Sequence, residues 1–98
     1  MDRRIDVVGL AVSGEEAVRL AAELEPHIVL MDISMPGVGG VEATRQIVAA
    51  RPQTHVLMVT GSNASQDVDA ARSAGAAGYV TKDRVPAELI SAILNVAA

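Results

Sequence analysis

"IVLMDISMPG" (Ile28–Gly37) is the stretch on which the fold turns. Ile28, Val29, Leu30 and Met31 run straight into Asp32, and Met35-Pro36-Gly37 follow as a turn. A short, continuous apolar run that ends in turn residues reads as a strand covered on both faces. A charged residue at the end of such a strand needs a reason, and the rest of the chain supplies one.

The same pattern recurs on either side. "IDVVGLAV" (Ile5–Val12), "HIVLMD" (His27–Asp32), "HVLMVT" (His55–Thr60) and "GYVTK" (Gly78–Lys82) all read as strands. Between them lie helical patterns. Ser13, with Glu16 three residues on, forms a capping box for "EEAVRLAAEL". "VEATRQIVAA" stops before Pro52, because Arg51 is biased away from helix by the proline after it. Ser65 is expected to cap a helix that ends near Gly75, and Pro86 to open a last one, "PAELISAILNVA". The order βαβαβαβα predicts an α/β domain with a parallel sheet, since each parallel connection needs a crossover.

Composition narrows the function. The 98 residues make one domain, and 50% of them are hydrophobic, enough to exclude disorder. The core is aliphatic, Tyr79 being the only aromatic. With no cysteine, disulfides and thiolate metal sites are excluded. A net charge of −4 argues against direct nucleic-acid binding, which wants a basic face. No apolar run approaches the ~20 residues that span a bilayer, so a soluble, cytoplasmic domain without membrane contact is expected.

In parallel sheets, chemistry sits at the carboxyl ends of the strands. Asp32, Thr60 and Lys82 each fall at such an end and should converge on one edge. Individually each has a plain explanation: a turn residue, the end of a β-branched strand, a solvated charge. Together they suit phosphoryl chemistry, with Asp32 as nucleophile, Lys82 neutralising charge and Thr60 donating a hydrogen bond. Gly61 leaves room for the group. His27 and His55 read as solvated residues, and Met31, Met35 and Met58 as core or pocket lining.

The residues "LMDISMPGVGG", "VLMVTGSN" and "GAAGYVTKD" resemble the receiver domain of two-component response regulators. The trailing Lys-Asp is most like the subgroup fused to helix-turn-helix DNA-binding domains. The resemblance implies a flavodoxin-like, doubly wound parallel sheet. It implies Asp32 as the phosphoacceptor, charged by a histidine kinase, with Thr60 as switch hydroxyl, Tyr79 as the rotating aromatic and Lys82 as phosphoryl partner. It also implies Mg²⁺, held by Asp32 and the backbone carbonyl of Ser34.

The family begins with a further strand ending in an acidic pair, then a helix, and neither is seen before Ile5. The expectation is therefore a truncated receiver domain over residues 1–98, with an incomplete sheet, a weak or absent Mg²⁺ site and no output domain in the chain. Asp2 and Asp6 should lie at the opposite edge, and Gly39 stands where the family often has Asp. The expected function is phosphorelay signalling without enzyme turnover, switching a transcriptional module. The alternative is a degenerate receiver acting through protein contacts alone. A small aspartyl-nucleophile phosphatase would want Asp at position 34, where Ser34 stands. The final helix alone, through Val85, Leu89, Ile90, Ile93 and Leu94, should cover the second sheet face. The apolar surface left over predicts a dimer or exchanged dimer.

Overall fold

The computed structural model describes residues 9–32, 39–61 and 65–97. In chain order these form α1 (Gly14–Leu24), β1 (Ile28–Asp32), α2 (Gly40–Ala50), β2 (His55–Thr60), α3 (Ser65–Ser73) and β3 (Gly78–Thr81). A 3-10 turn (Lys82–Arg84) then leads into α4 (Val85–Ala97). The strands make one parallel sheet in the order β1-β2-β3. Among the described residues, no helix is long and apolar enough to cross a membrane.

The expected first strand, Ile5–Val12, is not seen where it is described. Gly9–Val12 have no strand pairing, and Ile5–Val8 lie outside the described residues. Leu10 and Val12 are 82% and 75% exposed. β-branched and apolar content makes a strand only where a ladder and a covering layer receive it. The other three strands fall where the apolar runs placed them.

Register and pleat assign the faces. Ile28 pairs with His55 and Asp32 with Val59, while Leu57 pairs with Gly78 and Thr60 with Thr81. Met31, Val56 and Met58 therefore share one face, where they pack with Ala17 and Ala21 of α1, Ala43 and Ile47 of α2, and Ala71 of α3. Leu57 and Val80 share the other face, where Ile93, Val85 and Leu89 of α4 cover them. Three helices thus lie on one side and α4 on the other, as right-handed crossovers between strands advancing in one direction require. The expected α4 face is corrected at two positions: Ile90 is 38% exposed and Leu94 is not part of this cluster, while Ala92 packs into it. A thirteen-residue helix crossing a short sheet brings a narrower stripe into contact than its apolar sequence offers.

Local signals work largely as written. The Ser13 hydroxyl accepts from the Glu16 N–H at 3.2 Å. α3 closes with Ala76 N–H on the Ala71 carbonyl and Gly75 N–H on that of Arg72, with Gly75 at φ +99°. Ser65 is corrected from a cap to the first helical residue. Gly39 precedes α2 at φ +88° and ψ 156°, a region almost confined to glycine. The residue that looked like a loosened Asp position is one the backbone conformation demands.

The amino-terminal edge of the sheet is clamped by a polar cluster. The Thr54 hydroxyl donates to the Pro26 carbonyl at 3.1 Å and accepts from Arg51 Nε at 3.2 Å. Arg51 also meets the Glu25 carboxylate at 2.6 Å, and His55 N–H donates to the His27 carbonyl. Thr54 is 2% exposed, and Thr54→Val leaves the part-buried Pro26 carbonyl without this donor. The expected loss is about 1–2 kcal/mol in urea-induced unfolding. A change near zero would mean that the clamp holds nothing.

Candidate functional site

β1 delivers Asp32 to the carboxyl edge as its last residue, and β3 ends one residue before Lys82. Neighbouring parallel strands lie about 4.8 Å apart, so β1 and β3 are separated by roughly twice that across β2. The lysine stem spans the gap: Lys82 Nζ lies 3.1 Å from Asp32 Oδ2. The pleat allows it, because Asp32 and Val80 both lie level with Val59 and share its face, and continuing the alternation brings Lys82 to that side. The contact closes over the end of β2. Both side chains keep solvent contact, at 49% exposed for Lys82 and 38% for Asp32, so water and salt screen the attraction.

Thr60 ends β2 at this edge and is buried. The register sets it one residue beyond the level of Asp32 and on the opposite face, the one covered by α1, α2 and α3. Tyr79 lies on this face too, level with Met58 and 43% exposed at the outer strand. Among the described residues, an added Cβ at Gly61 would meet nothing within 4 Å, so room beside Thr60 does not depend on the glycine. Met31 and Met58 are fully buried, as core residues should be, and His27 and His55 are exposed. Ser34 and Met35, with Asp2 and Asp6, lie outside the described residues.

One residue at this edge escaped the sequence reading. Thr81 pairs with Thr60 across the ladder and shares its face. Its Oγ1 is buried and meets no partner with hydrogen-bond geometry. Its polar contact with Asp83 falls short of a formed hydrogen bond, yet it is the chief cause that draws the Asp83 carboxyl below the ordinary range, with the Asp83 backbone and Arg84 assisting.

Among the described residues, no three His, Asp or Glu side chains converge as a metal cluster. Asp32 is the carboxylate that ends a strand here, and Lys82 occupies one side of it. Mg²⁺ prefers six oxygen ligands, several of them waters, anchored by one or two carboxylates. The described donors amount to a partial fit. A cavity of about 320 Å³, lined by Ala71, Arg72, Ala76, Ala77, Gly78 and Tyr79, sits at the start of β3. It is at the far end of that strand from Lys82 and plays no part in this site.

A family profile for the response regulator receiver domain matches residues 2–94. The chain belongs to that family. It is thereby similar to signalling domains of the two-component type, and the response regulator GacA of Pseudomonas aeruginosa is 44% identical over 94 residues. That match takes in 96% of this chain and 44% of GacA. The chain thus spans less than half the length of the curated relatives it matches. A LuxR-family two-component response regulator from Aurantimonas sp. SI85-9A1 superposes with a TM-score of 0.90 at 43% identity, over 98% of this chain and 70% of that one. CheY in a CheX-CheY-BeF3-Mg+2 complex from Borrelia burgdorferi is 25% identical, with a TM-score of 0.87 over 96% of this chain and 72% of that one. The flavodoxin-like parallel architecture is therefore shared across the family.

The exposure of the Asp32–Lys82 pair has a measurable consequence. Lys82→Met should change unfolding free energy by less than about 1 kcal/mol, because a screened pair contributes little. A loss well above that in urea denaturation would mean that the pair is structural.

Proposed function

We propose that Asp32 is the phosphoacceptor of a receiver domain comprising residues 1–98, charged by the phosphohistidine of a histidine kinase in the cytoplasm. A carboxylate oxygen of Asp32 would attack phosphorus as the bond to the donor's imidazole nitrogen breaks, without enzyme turnover of a free substrate. Lys82 would neutralise the phosphoryl charge and Thr60 would donate to one of its oxygens. Tyr79, on the same face as Thr60, would pass the change to the surface. The observation that carries this reading is the 3.1 Å approach of Lys82 Nζ to Asp32 Oδ2 across the end of β2. The output would be transcriptional, in line with the LuxR-family and GacA relatives.

Mg²⁺ would supply charge neutralisation when bound, with Asp32 and the Ser34 carbonyl as its holders. One carboxylate supports a weak site, which also favours the alternative of a receiver acting through protein contacts alone. Incubation with acetyl phosphate and Mg²⁺, read by mass spectrometry, separates the two. The expected outcome is slow, partial labelling that disappears in Asp32→Asn. Label that persists in Asp32→Asn, or none in the parent chain, would remove the phosphoacceptor reading.

Self-association belongs to the same proposal. β1 meets no strand on its outer side among the described residues, and Leu30 at its centre is 44% exposed. An apolar edge without lysine or proline is a template for pairing with another strand. A two-fold axis through such an edge would bring Leu30 against its own copy. Sedimentation at micromolar concentration should show a dimer that Leu30→Lys converts to monomer. A compact monomer in the parent chain would mean that β1 is covered from within.

A further inference from the structure

Thr81 is a polar residue that none of the roles above uses, and its placement is unusual. It is the ladder partner of Thr60 and sits on the same face of the sheet. Its hydroxyl is buried and, among the described residues, meets no partner with full hydrogen-bond geometry, its polar influence falling on the Asp83 carboxyl. Buried polar groups are nearly always fully paired, so this hydroxyl has capacity for a further partner. Thr81 also immediately precedes Lys82 and the 3-10 turn that carries Asp83 into α4. It therefore joins the two strands whose ends make the site to the helix that covers the second face.

We propose that Thr81 is a positioning residue for Thr60, its buried hydroxyl being a second partner that the Thr60 hydroxyl takes up. Thr60 has a partner of its own in this structure, so the pairing with Thr81 is an alternative arrangement of the same two groups. When Thr60 turns to Thr81, its hydroxyl donates to Thr81 Oγ1, and the Thr81 hydrogen points on toward the Asp83 carboxylate. Hydrogen bonds in series polarise one another, so Thr60 and Asp83 become coupled through Thr81. When Thr60 turns instead to a group on Asp32, the chain is broken and the Lys82–Arg84 turn is released from it. The device rests on the reading of Thr60 as the hydroxyl that senses Asp32. It adds a route from that hydroxyl to α4 that does not pass through Tyr79.

The test is a double-mutant cycle read by NMR titration of the Asp83 side-chain carboxyl in the unlabelled chain. Asp83 is influenced from its own turn by Arg84 and its backbone, which both variants leave intact. Thr81→Val is expected to raise the Asp83 titration point, and Thr81→Ser to restore it. Thr60→Val should move it by about twofold in protonation constant in the parent and leave it unmoved in Thr81→Val. An unmoved Asp83 in Thr60→Val, or equal movement in both backgrounds, overturns the proposal. Acetyl phosphate supplies a separate arm. Labelling of Asp32 should shift the Asp83 resonance in the parent and not in Thr81→Val, and an equal shift in both overturns the relay. Failure of Asp32 to label removes the phosphoacceptor reading, and the unlabelled cycle still decides the role of Thr81.

Discussion

The parallel register of β1, β2 and β3 is the constraint on which the rest of this domain depends. Because all three strands run the same way, their carboxyl ends lie along one edge, and residues far apart in sequence become neighbours. Asp32 and Lys82 are fifty positions apart, yet the register brings their charged atoms to 3.1 Å. A slip of one residue in β1 would turn Met31 toward α4 and carry Asp32 to the face of Thr60. The apolar packing therefore enforces the chemistry. The fully buried Met31, Val56 and Met58 admit one pairing of the strands, and that pairing sets the site.

The same alternation divides the site between two environments. Asp32 and Lys82 lie on the α4 side, half open to water. Thr60, Thr81 and Tyr79 lie on the other side, beneath the three-helix layer, where two of the three are shielded. Asp32 and Thr60 end neighbouring strands one residue apart in register, and the alternation of the pleat sends them to opposite faces.

The elements were legible in the sequence where the local pattern and the tertiary surroundings agreed. His55–Thr60 is apolar on both pleat faces and has helices on both. Gly75 ends α3 because its φ of +99° suits glycine, a preference visible from position alone. Disagreement arose where the surroundings differ from what the residues could support. Leu10 and Val12 have the composition of a strand and stand exposed without a ladder. Ile90 has the spacing of a core residue and faces outward because α4 presents a narrower stripe to the short sheet. At Gly39 the sequence showed a missing acid, whereas the reason for glycine is a φ of +88°.

By itself the sequence determined the class of fold, the alternation of elements from α1 onward and the identity of Asp32, Thr60 and Lys82 as groups for one edge. Those follow from periodicity and from where polar residues interrupt apolar runs, both of which are local properties. Tertiary structure alone decided which of these groups touch, which face each occupies, and that Thr81 stands beside Thr60. Thr81 gave no signal in sequence because a threonine at the end of a β-branched strand is unremarked. Its significance is a matter of ladder register and of a buried hydroxyl that, among the described residues, makes no fully formed hydrogen bond. Register is a relation between strands, and no single strand carries it.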